Sequence, residues 1–128
     1  MPRIVAFGEL MLRLTPPDHE TFLQTPNFNA TFGGSEANVA VSLANYGEPV
    51  SYVSTFSDDE IGNVAESQLL SFKVDTKYIQ RKKARMGVYY MQIGSNMRPS
   101  KVIYDRCNSA IALSSISDYD WEIGRAHV

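Results

Sequence analysis

The sequence is poor in the residues that build metal centres and cross-links. Cys107 is its single cysteine, which excludes a disulfide framework and a cysteine-based metal site. His19 and His127 are its two histidines, and no ligand spacing connects them. No apolar run approaches the length of a membrane-spanning helix. Arg3-Ile4-Val5-Ala6-Phe7 is cut off by Gly8-Glu9, too soon for the apolar segment of a signal peptide. A cytoplasmic location without a membrane partner is therefore expected. Net charge is only −2, which gives no reason to expect a nucleic-acid partner. Neither Gly-Lys-Ser/Thr nor the G-x-G-x-x-G order occurs, so the two common glycine-rich phosphate loops are missing. There is no internal repeat and no low-complexity tract.

What is present suits one domain with a real core. The chain has 128 residues, 44% of them hydrophobic and 20% charged. The charges are unevenly placed. Residues 1–72 carry nine acids against two bases, whereas residues 73–106 carry nine Lys or Arg against Asp75 and Asp105. Such a basic half either attracts an anionic substrate or is a solvated face.

Hydrophobic spacing divides the chain into two kinds of element. Residues 3–7 and 50–56 are short apolar runs suited to buried strands, and 76–80 is a third, shorter strand. Between them the spacing predicts two helices. One runs from Glu36 to Tyr46, capped by Ser35 and ended by Gly47, with Val39, Leu43 and Tyr46 on one face and Ala37, Ala40 and Ala44 allowing close packing. The other runs from about Glu60 to Phe72, capped by Ser57 or Asp58. Arg81 to Arg85 has the look of a basic turn. This alternation is the rhythm of a parallel α/β sheet. Residues 10–15, 28–33, 87–93 and 101–106 alternate apolar and polar instead, which predicts a second, smaller sheet with one wet face.

The most informative stretch is ATFGGSEANVAVSLANYGE, residues 30–48. Gly33-Gly34 lets backbone approach another group closely, and the following helix points its free N–H groups at the same place. Hydroxyls or a carboxylate would suit such a pocket. Asn38, in the first turn, carries an amide that both donates and accepts, as a polyol requires. A tight turn with Asn38 bonding locally explains the spacing equally well.

These residues carry a family resemblance. Gly33-Gly34-x-x-x-Asn38, the small-residue helix, Gly47 and Asp58-Asp59-Glu60-Ile61-Gly62 resemble the N-terminal signature of PfkB-type, ribokinase-like carbohydrate kinases. Gly8-Glu9, Gly34-Ser35-Glu36-Ala37-Asn38, Gly87-Val88-Tyr89-Tyr90 and Ile103-Tyr104-Asp105-Arg106 are most similar to the 2-keto-3-deoxygluconate kinases of that family. The resemblance covers residues 3 to about 121. It implies a Rossmann-like α/β domain with a small β-sheet lid, and a sugar acid bound between the two. It also implies that Gly34, Ser35, Glu36, Ala37 and Asn38 hold sugar hydroxyls and that Tyr89 and Tyr104 reach in from the lid. Arg106 would pair with the substrate carboxylate, a task that suits a guanidinium fork. ATP and Mg2+ would serve the full-length parent, and pairing of lid sheets would make a homo-oligomer.

The sequence departs from that pattern in two places. Ser54 and Ser57 stand where the family commonly has glycine. The family's catalytic aspartate belongs to a Gly-Ala-Gly-Asp motif that does not occur here. Residues 1–121 are thus expected to be the N-terminal portion of a kinase domain, lacking the catalytic base and the nucleotide site and inactive alone. Glu122-Ile123-Gly124-Arg125-Ala126-His127-Val128 breaks the pattern and matches one reading frame of a common sequencing adapter; it is expected to be an artefactual tail. The alternative is a non-catalytic module that binds sugar or dimerises through its lid.

Overall fold

The computed structural model describes residues 4–24, 26–94 and 97–119. The heptapeptide 122–128 lies outside them. Two βαβ-like units and one open sheet make up the fold. Strand β1 (Ile4–Phe7) pairs in parallel with β4 (Val50–Val53), and β5 (Thr55–Ser57) pairs in parallel with β6 (Gln80–Lys82). Helix α1 (Ser35–Asn45) packs on β1 and β4, and α2 (Glu60–Ser71) packs on β5. The remaining strands are β2 (Met11–Thr15), β3 (Asn29–Gly33), β7 (Val88–Gln92) and β8 (Lys101–Asp105), and they share one four-stranded sheet in the order β3-β2-β7-β8. Within it β2 runs antiparallel to β3 and parallel to β7, and β7 and β8 form an antiparallel pair. No described helix is long and apolar enough to cross a membrane.

The core lies between the helices and the parallel strands. Ala37 and Ala40 of α1, Ala65 and Leu69 of α2, and Tyr52 and Phe56 of the strands are buried together. Burying a side chain the size of Phe56 or Leu69 stabilises the fold by about 1.5–3 kcal/mol. Alanines let α1 sit close on the sheet. The close packing expected of Ala37 and Ala40 is found, whereas two residues of the expected apolar face, Val39 and Tyr46, are 55% and 84% exposed.

Several boundaries also differ from expectation. Residue 54 interrupts the apolar run 50–56, so two short strands replace one, each in its own sheet. Ser35 is the first helical residue, and Gly34 occupies the cap position without a side-chain bond. The cap of α2 is Asp59, whose carboxylate accepts from the Gly62 N–H at 3.1 Å; Ser57 instead supports it, donating its hydroxyl to Asp59 at 2.6 Å. The strand expected at 76–80 begins at Gln80 and takes in Arg81 and Lys82, half of the expected basic turn. Arg81 is held there by Glu66, the Asn63 side chain and the Ser57 carbonyl, so a charge that looked free in sequence is bonded into the α2–β6 contact.

Both helices end in the same way. The N–H groups of Gly47 and Glu48 turn back to the carbonyls of Ala44 and Leu43 at 3.0 and 3.1 Å. Those of Lys73 and Val74 turn back to Leu70 and Leu69 at 2.9 and 3.1 Å. Gly47 and Lys73 adopt left-handed φ values of 86° and 65° at the equivalent position.

Candidate functional site

The N-terminus of α1 is fixed by the loop that leaves β1. Gly34 lies so close to the Glu9 backbone carbonyl that a Cβ would collide with it. The Gly34 carbonyl accepts the first helical bond, from the Asn38 N–H at 2.8 Å. Gly34 is therefore used for the close backbone approach that the paired glycines suggested. Above Gly33 lies the phenol oxygen of Tyr89, which a Cβ there would approach to 2.7 Å.

Tyr89 and Tyr104 face each other across β7 and β8, with ring centroids 5.9 Å apart. Together with Gly34, Ser35 and Asn38 they line a cavity of about 310 Å3 between the four-stranded sheet and the start of α1. Met11 and Arg13 of β2, Met91 of β7 and Val102 of β8 complete its wall. The pleat explains the set: Met11, Arg13, Tyr89, Met91, Val102 and Tyr104 alternate in register along one face of the sheet. Sequence reasoning did not single out Arg13, although its place in the Leu-x-Leu alternation of β2 marks it as a residue of the opposite face.

Five of the eight residues expected from sequence thus meet at one cavity, and three do not line it. Ala37 is buried in the core. Glu36 leans back over Gly8, where a Cβ would strike its carboxylate. Arg106 stands beyond Tyr104, with its guanidinium 4.9 Å from the centre of that ring. Its charge is met by Glu9, with Nη1 3.7 Å from Oε1. The other oxygen of Glu9 accepts from the Ser109 hydroxyl at 3.0 Å. Gly87 leaves the space that the Glu9 carboxylate fills.

Two pKa shifts bear on the surroundings. Burial pushes the Tyr52 phenol well above its ordinary value, reinforced by the carboxylates of Glu36 and Glu9. Tyr52 is thus a neutral, core-forming group at every physiological pH. The Ser57 hydroxyl, then the Gly62 N–H, hold the Asp59 carboxyl below the usual range. No group of three His, Cys, Asp or Glu side chains suited to a metal ion occurs among the described residues.

Comparison with known proteins gives this geometry a setting. Residues 1–123 match the profile of the pfkB family carbohydrate kinases. The chain belongs to that family. It is 33% identical over 108 residues to a 2-dehydro-3-deoxygalactonokinase of Haloferax volcanii, an alignment covering 84% of this chain and 34% of that protein. The crystal structure of 2-dehydro-3-deoxygluconokinase from Thermotoga maritima superimposes on the whole chain with a TM-score of 0.96 and 44% identity, using 39% of its own length. A sugar kinase of Pyrococcus horikoshii, solved in complex with ATP, matches 94% of this chain and 39% of its own, with a TM-score of 0.81 and 25% identity. The chain therefore spans about a third of the length of the curated relatives it matches. The ribokinase-like α/β fold is that of the PfkB kinases, and the four-stranded sheet of this PfkB chain belongs to it.

Proposed function

We propose that this PfkB chain forms the sugar-binding part of a kinase that phosphorylates a sugar acid in the cytoplasm, with 2-keto-3-deoxygluconate as substrate. The observation that carries this reading is the cavity itself. It joins a helix N-terminus, the Asn38 amide and two tyrosine hydroxyls on one side of the lid sheet, with guanidinium groups beside them. A polyol needs the donors and acceptors of the first set, and an acid needs the cations. The names of the Haloferax and Thermotoga proteins, both kinases of deoxy keto-acid sugars, support the substrate class.

In this reading Ser35, Asn38 and the free N–H groups of Gly34 to Ala37 hold hydroxyls, and Tyr89 and Tyr104 cover the sugar. Glu36 keeps the start of α1 against Gly8. Arg106, steadied by Glu9 and Tyr104, meets the carboxylate. Transfer forms a bond from a primary hydroxyl oxygen to the γ-phosphorus of ATP and breaks that phosphorus from its bridging oxygen, with ADP leaving. No group of three His, Cys, Asp or Glu side chains that could hold a metal ion occurs among the described residues. The sequence has no Gly-Ala-Gly-Asp motif to supply a base. Binding of ATP and Mg2+ is thus proposed for the longer kinase, and the chain by itself is proposed to bind sugar without transferring phosphate.

Steady-state kinetics of the complete kinase test this. Arg106→Ala removes a charge-assisted contact of about 1.5–3 kcal/mol, so KM for the acid rises about tenfold or more while KM for ATP stays put. An unchanged KM for the acid removes Arg106 from the carboxylate. A second reading, a homo-oligomer or non-catalytic module joined through the lid, is favoured by one observation: every residue of the edge strand β8 is exposed.

A further inference from the structure

The cleft holds a second cation besides Arg106. Among the described arginines, Arg81, Arg85 and Arg106 each face a carboxylate, on Glu66, Asp105 and Glu9. Arg98 donates to the backbone carbonyls of His19 and Ile93. Arg13 has neither. Its one partner among the described residues is the Thr31 hydroxyl, which accepts from Nε at 2.9 Å. Thr31 is the residue directly opposite on β3, so the register of β2 and β3 sets this bond.

The consequence is geometric as well as electrostatic. With Nε bonded to Thr31, the two terminal nitrogens present an edge of four N–H donors that meet no acceptor among the described residues. That edge matches a carboxylate or an adjacent pair of oxygens. Arg13 also stands where two cavities meet. One is the cavity of about 310 Å3 at the start of α1, and the other, of about 290 Å3, is lined by Arg13, Thr15, Asn29, Thr31, Met91 and Ile93 further along the same face. The residue as a whole is half-buried, although its bond to Thr31 lies on the exposed side. Arg106 has the Glu9 carboxylate 3.7 Å away to balance its charge in part; Arg13 has no carboxylate beside it among the described residues.

Accepting the sugar-acid reading above, we propose that Arg13 is a second, specificity-determining cation that acts with Arg106, its terminal guanidinium edge taking an oxygen of the carboxylate and a neighbouring oxygen of an acidic sugar at the junction of the two cavities. Neutral sugars would use the α1 end of the cleft and gain nothing from Arg13.

The test is a pair of NMR titrations of the 15N-labelled 128-residue chain, one with 2-keto-3-deoxygluconate and one with the neutral 2-deoxyglucose. The acid is expected to shift the Arg13 Nε–H signal, and the neutral sugar is not. Arg13→Gln is expected to raise Kd for the acid tenfold or more and leave that for the neutral sugar unchanged. Arg13→Lys keeps the charge but loses the fork, and is expected to weaken acid binding threefold or more; it also serves if the Gln variant does not fold. Acid binding that survives both substitutions but is lost in Arg106→Gln overturns the role of Arg13 and keeps the sugar-acid reading. A folded wild-type chain that binds neither sugar overturns that reading, and the proposal with it.

Discussion

Gly34 and Gly47 are both glycines at helix ends, yet different physics demands them. Gly34 has an extended backbone, with φ at 178°, that any residue can adopt; what it lacks is room, because the Glu9 carbonyl occupies the place of a Cβ. Backbone cannot swing aside as a side chain can. Gly34→Ala is therefore expected to cost about 1–3 kcal/mol, the usual range for forcing a methyl into packed surroundings, and to displace the start of α1 from the cleft. Urea unfolding measures the first effect and sugar titration the second; a variant as stable as the wild type would mean that α1 slides freely on the β1 loop. Asp59 is a case where charge adds to geometry. Its folded-state pKa lies below the unfolded one, because the charged form accepts from Ser57 and Gly62. Its stabilisation is thus complete above the usual carboxylate range and fades as pH falls through the lowered value. Asp59→Ala should cost about 1 kcal/mol near neutrality, as caps do, and less and less in acid. A gap between the two proteins that stays constant down through that range would show that the cap acts without its charge.

Elements that are specified by alternation were legible in the sequence, and elements that depend on partners were not. The strands of the second sheet could be read because each carries a period of two, and residues 10–15, 28–33, 87–93 and 101–106 do meet in one sheet. The face of α1 was legible only in part: its alanines were expected to allow close packing, but Val39 and Tyr46 were expected on an apolar face. Valine and tyrosine weigh more than alanine in any hydrophobic count, but a helix lying close on a sheet buries its smallest residues, so Ala37 and Ala40 go inside while Val39 and Tyr46 face out. Likewise, Arg81 looked like a turn residue until Glu66 and Asn63 on α2 gave it partners. Of the cleft, the residues near the paired glycines were visible, and Arg13 was not, since a lone arginine in a strand has no signature until the register places it opposite Thr31. The helix ends add a prediction at this scale. Lys73 holds the left-handed position that Gly47 holds in α1, with φ at 65°. A non-glycine residue there bears about 1–2 kcal/mol of steric cost, partly offset because glycine has more unfolded-state freedom to lose. Lys73→Gly should stabilise the chain by up to about 1 kcal/mol in urea unfolding, and a loss would mean that the Lys73 side chain makes contacts worth more than the strain.

At the scale of the whole molecule, the acidic first half and basic second half of the sequence are folded onto each other. Glu66 meets Arg81 and Glu9 meets Arg106, each pair joining the two halves. What remains unevenly shared is burial. Every residue of β4 is buried, and the strand is bonded on both sides: β1 pairs along one edge, while Tyr52 donates to the Asp75 carbonyl and Asp75 to Val50 along the other. Every residue of β8 is exposed, and its one neighbour among the described strands is β7. Local opening should follow that contrast, since an exposed edge strand separates without breaking the core. Amide hydrogen exchange is thus expected to be slower in β4 than in β8 by about tenfold at least, the ratio produced by about 1.4 kcal/mol of extra opening free energy. Dilution turns the same measurement on the proposed pairing of lid sheets. If β8 is protected as strongly as β4 at high protein concentration and loses that protection on dilution, a second copy covers the edge. Strong protection at every concentration would instead mean that β8 opens only with the core, and that the lid sheet and the parallel strands unfold as one unit.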